Sequence, residues 1–209
     1  MRGKTHIAVG VAAAVVAMRP ELPVDCLIAV LGGTVGGIVC DLDEPSSTIS
    51  QDFRHVRRLL LAVVAGVFAL DLIWNAGLWQ TIVARLTTLL AAGTEEQLRA
   101  LAGLAIALLT CSFGSRTPHR TFMHSALALI LLGTAAEFLF APLAQPFVIG
   151  FVSHLALDLL NHQPERLLWP LPQGFSLGLV CSDGKANAPM VAASIAAIAL
   201  VVAPMLGLA

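Results

Sequence analysis

The chain has 209 residues, of which 57% are hydrophobic and 12% charged, with a formal net charge of −1. Soluble domains carry about 25% charged residues; half that share leaves too few charges for a water-facing surface and places the chain in a membrane. The near-zero charge offers no basic face to nucleic acid, and the length suits one integral-membrane domain over 1–209 rather than two.

Met1-Arg-Gly-Lys4 precedes a short apolar run at 7–18. The pattern resembles a secretory signal, but Ala17-Met18-Arg19-Pro20 is a poor cleavage site, so the segment is expected to stay in the protein. A bilayer core takes about 20 helical residues to cross, so this run needs tilt or supporting neighbours. Pro20 and Pro23 separate it from a run at 24–40 and favour a helical hairpin. Within 24–40, Gly32-Gly33 and Gly36-Gly37 recur at a spacing of four, which lets another helix approach closely. Further apolar runs cover 59–75, 98–114, 123–140, 144–160 and 189–208. The stretch 77–92 contains Trp79, Gln80, Arg85, Thr87 and Thr88 and reads as an amphipathic helix lying on the interface. A loop at 93–97 follows, with Thr94 as N-cap and Gln97 closing a capping box. The expected fold is all-α: a polytopic membrane bundle of about six to seven embedded helices plus one interfacial helix.

If 77–92 does not span and the other runs do, residues 1–6, 41–58, 115–122 and 161–188 share one side. Nine of the twelve basic residues fall there: Arg2, Lys4, Arg54, Arg57, Arg58, Arg116, Arg120, Arg166 and Lys185. Only Arg19, Arg85 and Arg99 lie opposite. The positive-inside rule makes the first side cytoplasmic, in a bacterial-type inner membrane.

In so uncharged a chain, seven ligand-type residues at the edges of apolar runs stand out: His6, Asp41, Asp43, His119, His124, His154 and Asp158. A charged side chain at the centre of a membrane helix costs roughly 2.5–3.5 kcal/mol, so such groups are paired, hydrated or bound. All seven fall on the basic side of the topology above. His154 and Asp158 are four apart and share a helix face, where they chelate an ion or form an intrahelical hydrogen bond. Asp41 and Asp43 alternate in a turn ended by Pro45, where they ligate an ion or stay solvated. His119 and His124 straddle a loop-to-helix junction. Neutral imidazoles suit zinc and other late transition metals, and Arg120 beside them offers a planar fork for phosphate or carboxylate. The other reading of that cluster is contact with anionic lipid headgroups. His55 and His162 read as solvated, Asp71 and Glu137 are unassigned, and Cys26, Cys40, Cys111 and Cys181 read as packing residues. There is no GxSxG, HExxH, Walker or GxGxxG motif.

Together these motifs resemble the YdjM-like family of predicted inner-membrane metal-dependent hydrolases. The resemblance is carried by His6, Asp41-Leu-Asp43 with Pro45 and Ser47, His119-Arg120 with His124-Ser125, and Gly150-Phe-Val-Ser-His154-Leu-Ala-Leu-Asp158. Leu167-Leu-Trp-Pro170 and Phe175-Ser-Leu-Gly178 complete it. Family members often carry histidine where Glu44 stands, and tend to read HRGxTHS where this chain reads His119-Arg-Thr-Phe-Met-His124-Ser125. The resemblance implies hydrolysis at a metal site. The metal expected is Zn2+, as one or two ions, with Mn2+ or Fe2+ permitted by the mixed nitrogen and oxygen donors. Asp43, or Asp41, would hold the attacking water, and Arg120 would stabilise charge on a phosphoryl oxygen. The rim position points to a phospholipid or lipid-linked phosphate as substrate. A divalent-cation transporter and a metal-stabilised membrane scaffold are the alternatives.

Overall fold

The computed structural model describes residues 3–74, 77–181 and 184–207; Arg2, counted above with the basic side, and the end of the 189–208 run lie outside them. Seven α-helices follow in order: α1 (Gly3–Met18), α2 (Pro23–Val39), α3 (Thr48–Trp74), α4 (Leu78–Ala92), α5 (Glu95–Gly114), α6 (Ala126–Leu159) and α7 (Asn187–Val202). The described part of each apolar run of the sequence lies largely in one of them. Among the described residues there is no strand, only the isolated bridges Asn161–Val180 and Glu165–Phe175.

Local chemistry explains the boundaries. Pro23 opens α2, where its missing N–H costs nothing. Thr94 and Gln97 form the reciprocal capping box at the start of α5. The Ser125 hydroxyl accepts the N–H of Ala128 at 3.2 Å and caps α6. Asp71 receives the N–H of Leu78 at 2.6 Å and that of Trp79 at 3.2 Å, so it caps α4 from the end of α3. Glu137 lies 4.0 Å from Arg99 across the α5–α6 contact.

The 34 residues of α6 do not form one rod. Phe140 leaves helical geometry, and Pro142 and Pro146 follow it. In a straight helix residues 133 and 148 would stand about 22 Å apart, yet a Cβ built on Gly133 would lie 3.2 Å from Val148 Cγ2. The element is therefore a folded-back pair of arms, 126–139 and 141–159, matching the two runs of the sequence. This fold returns His154 to the level of His124.

Helix α2 sits between α1 and the second arm of α6 and meets both through glycine. A Cβ on Gly33 would lie 2.6 Å from the Gly10 carbonyl oxygen, and one on Gly37 2.8 Å from that of His6. On the neighbouring face a Cβ on Gly32 would meet Pro146 Cγ at 2.7 Å, and one on Gly36 would collide with the Phe147 carbonyl. Below these contacts Cys40, Leu42, Met123, Leu132, Phe147 and Phe151 form the main core. Helix α3 buries only Ser50 and exposes Leu60, Val64, Phe68 and Ile73, a surface suited to lipid.

Among the described residues, four segments are long and apolar enough to cross a membrane: Pro23–Asp43, Glu95–Gly114, Ala126–Leu159 and Asn187–Met205. The expected count of six to seven is not reached by this measure. Helices α1 and α4 have 16 and 15 residues, Arg57, Arg58 and Asp71 interrupt the apolar character of α3, and α6 counts once although it doubles back.

Gly36→Ala drives a methyl group into the Phe147 carbonyl, whereas Gly66→Ala meets nothing within 4 Å. Overpacking of this kind costs about 1–3 kcal/mol. Thermal unfolding in detergent should show a lowered midpoint for Gly36→Ala and an unchanged or raised one for Gly66→Ala. Equal midpoints would mean that α2 does not pack through this face.

Candidate metal centre

The site forms where helix ends gather. His6 lies in the first turns of α1, and Asp41 and Asp43 lie in the 3-10 turn Cys40–Asp43 that continues α2. The Ser47 hydroxyl donates to the Asp41 carbonyl at 2.6 Å and holds that turn closed. His119 and Arg120 follow α5. Arg120 takes a left-handed backbone, φ 63°, which lets its N–H donate to Asp43 Oδ2 at 3.2 Å and its carbonyl accept the N–H of Arg166 at 2.9 Å. His124 ends the turn before α6, and His154 and Asp158 occupy the last turns of its second arm.

All seven residues named from the sequence come together. His154 Nε2 is 3.3 Å from His124 Nε2, 3.7 Å from Asp41 Oδ1 and 3.9 Å from Asp158 Oδ2. His124 Nε2 lies 3.5 Å from Asp158 Oδ2, and His6 Nε2 lies 3.4 Å from Asp158 Oδ1. The rings of His6 and His154 stack at 3.9 Å. Asp43 stands behind two imidazoles, 2.7 Å from His119 Nδ1 and 3.3 Å from His124 Nδ1. Glu44, next to Asp43, reaches His119 Nε2 at 3.7 Å. His6, Asp43, His124, His154 and Asp158 are buried; Asp41, 19% exposed, reaches the surface.

The donor arrangement fits a divalent cation. The Nδ1–H of His154 donates to the Gly37 carbonyl at 2.8 Å, which leaves the Nε2 lone pair free. With Nδ1 of His124 turned to Asp43, its Nε2 lone pair faces that of His154. Two lone pairs so placed repel unless a proton or a cation lies against them. Atoms bound to one cation at about 2.0–2.2 Å lie within about 4.4 Å of one another, and the Nε2 and carboxylate separations above satisfy that limit. The carbonyl behind His154 and the carboxylate behind His124 are the orienting partners that metal-bound imidazoles require. Overlapping sets that could hold an ion are His6–His154–Asp158, Asp41–His124–His154 and Asp43–His119–His124.

Arg120 is 7% exposed and its fork is engaged. Nη2 lies 2.9 Å from Asp158 Oδ2 and Nη1 donates to the Gln163 carbonyl at 2.6 Å. An open cavity of about 680 Å³ reaches the cluster, lined by Lys4, Asp41, Ser47, His119, Arg120 and Asp158. His55 and His162 are exposed and absent from the cluster, as are the four cysteines, all free.

Sequence reasoning missed Glu165. It is completely buried and shares a possible ion-binding set with His124 and Asp158. In the sequence it stands between Pro164 and Arg166, where an acid reads as one of a solvated pair. Burial pushes its carboxyl up to about 8. At the rim, the Ser46 hydroxyl holds the Glu44 carboxyl below its ordinary range. Burial works against charge on His124, but Asp158 and Asp43 outweigh it and raise its pKa to about 10.

Metal-free protein therefore carries a proton on His124 at neutral pH, and a cation must displace it. Raised from 6.5 to about 10, this group stabilises the metal-free fold fully below about pH 6.5, and that contribution disappears as pH rises through about 10. Calorimetric titration with Zn2+ in buffers of different ionisation enthalpy should show proton release at pH 7 and an affinity that falls as pH is lowered. Uptake without proton release would remove His124 from the ligand set.

No curated protein and no solved structure matches the chain. The YdjM inner membrane protein family matches it over residues 1–208. With its apolar helices and His/Asp cluster on the motifs that carry the resemblance, the chain belongs to the YdjM inner membrane protein family.

Proposed function

We propose that the protein is a membrane-bound, metal-dependent hydrolase that acts on a phosphoester or lipid-linked phosphate at the cytoplasmic face of the inner membrane. The observation that supports this reading is the junction of the buried His/Asp cluster with an open cavity through Asp41, His119, Arg120 and Asp158. A closed structural site would have no such opening, and a transport site would sit near the bilayer midplane rather than at helix ends. The ion is zinc on the strength of the imidazole donors; Mn2+ or Fe2+ also suits the mixed set.

Bound there, a divalent cation supplies Lewis acidity and acidifies water toward neutral pH. The protein's own groups divide the remaining work. His6, His154 and Asp158 would hold an ion, and Asp41 and His124 with the same His154 form an overlapping set. Of the two aspartates, Asp41 reaches the cavity and can orient a water molecule, while Asp43 fixes the rings of His119 and His124 from behind. Arg120, held flat by Asp158 and Gln163 at the cavity wall, carries the positive charge that meets a phosphoryl oxygen. Lys4 and Ser47 line the same cavity and offer further donors to a phosphate. The apolar surface of neighbouring helices lets a lipid substrate keep its chains in the membrane while its headgroup enters the site.

Elemental analysis of detergent-purified protein should find a divalent transition metal, reduced in His124→Ala and Asp158→Ala. Arg120→Ala should retain the metal yet lose about tenfold to a thousandfold in turnover of a lipid phosphate. Protein without metal, or turnover indifferent to chelation, would contradict the hydrolase reading. A reporter fused after Ala209 should read out on the periplasmic side; a cytoplasmic signal would place the cluster on the other face.

A further inference from the structure

Glu165 lies outside the seven residues given roles above. It is 0% exposed, and among the described residues neither of its carboxylate oxygens has a hydrogen-bond partner. Its position is nevertheless held on every side. Its N–H and its carbonyl both pair with Phe175 at 2.9 Å. The next residue, Arg166, donates its N–H to the Arg120 carbonyl at 2.9 Å, and the Leu167 carbonyl accepts the N–H of Ala126 at 2.9 Å. The segment is thus tied to both ends of the His119–His124 stretch, and the carboxylate cannot swing out without breaking those bonds.

The side chain is aimed at the cluster. One Glu165 oxygen, one His124 nitrogen and one Asp158 oxygen all lie within 4.8 Å of one another. A buried carboxylate without donors persists only with a proton or a cation beside it. Asp158 can serve two neighbours, since Oδ1 is 3.4 Å from His6 Nε2 while Oδ2 is 3.5 Å from His124 Nε2; Arg120 Nη2 also lies against Oδ2.

Resting on the metal reading above, we propose that Glu165 is a metal ligand. With His124 and Asp158 it holds a second divalent cation beside the one on the His6–His154 side, and Asp158 bridges the two.

Full-length protein in detergent, stripped with a chelator and titrated with Mn2+, tests this by elemental analysis and electron paramagnetic resonance. Wild type should take up a second equivalent and give the spectrum of two exchange-coupled ions. Glu165→Gln should lose that equivalent, keep the first, and give an uncoupled signal. A Glu165→Gln protein that keeps both equivalents and the coupled spectrum overturns the assignment while leaving the metal centre standing. Should that variant fail to fold, wild type alone decides, because a single uncoupled ion at saturation overturns the two-ion arrangement. Wild type that binds no Mn2+ and no Zn2+ overturns this proposal together with the reading it rests on.

Discussion

Helix α2 meets its neighbours at backbone distance. Along α2, Gly33 and Gly37 face α1 while Gly32 and Gly36 face the second arm of α6, and a single methyl group at any of them would meet main chain or a proline ring. Lipid offers no hydrophobic drive for helices to associate, so they are held by close packing and by polar contacts. Three helices locked at backbone distance have little freedom to slide. Their axial register places His6, the Asp41–Asp43 turn and the His154–Asp158 turn at one level, and the site follows from that register.

The site in turn is tied to the packing. His154 draws its orienting hydrogen bond from the Gly37 carbonyl, on the same helix whose glycines admit the neighbours. His119 and His124 are oriented by Asp43, at the end of α2. The left-handed Arg120 backbone and the 160–178 segment close the cluster from above. Four imidazoles and three aspartates gathered at the rim of a membrane bundle would be costly if left uncompensated. Around a bound cation they would tie the helix ends together.

Much of this was legible in the sequence because charge is so scarce. Each of the seven ligand-type residues stood at the border of an apolar run, and His154 and Asp158 showed the spacing of one helix face. The glycine pairs, the Thr94–Gln97 capping box and the separate runs 123–140 and 144–160 also translate directly into structure. What stayed hidden depends on contacts distant along the chain. Glu165 gives no periodic signal; its burial comes from a loop pinned to Phe175 and Arg120. Asp71, within an apolar run, caps the following helix across a chain reversal. Arg120, read as a free fork beside two histidines, has two of its three nitrogens engaged by Asp158 and Gln163. The number of spans was the least legible feature, since apolar runs show which helices prefer lipid but not which are short, charged or folded back.

The central claim is that helix ends distant in sequence share a cation through imidazole and carboxylate groups, with cysteine taking no part. X-ray absorption at the metal edge of the purified protein tests it most directly. The predicted spectrum has a first shell of nitrogen and oxygen at about 2.0–2.2 Å with the multiple-scattering pattern of imidazole. Sulfur in the first shell, or an ion surrounded by oxygen with no imidazole, would contradict it.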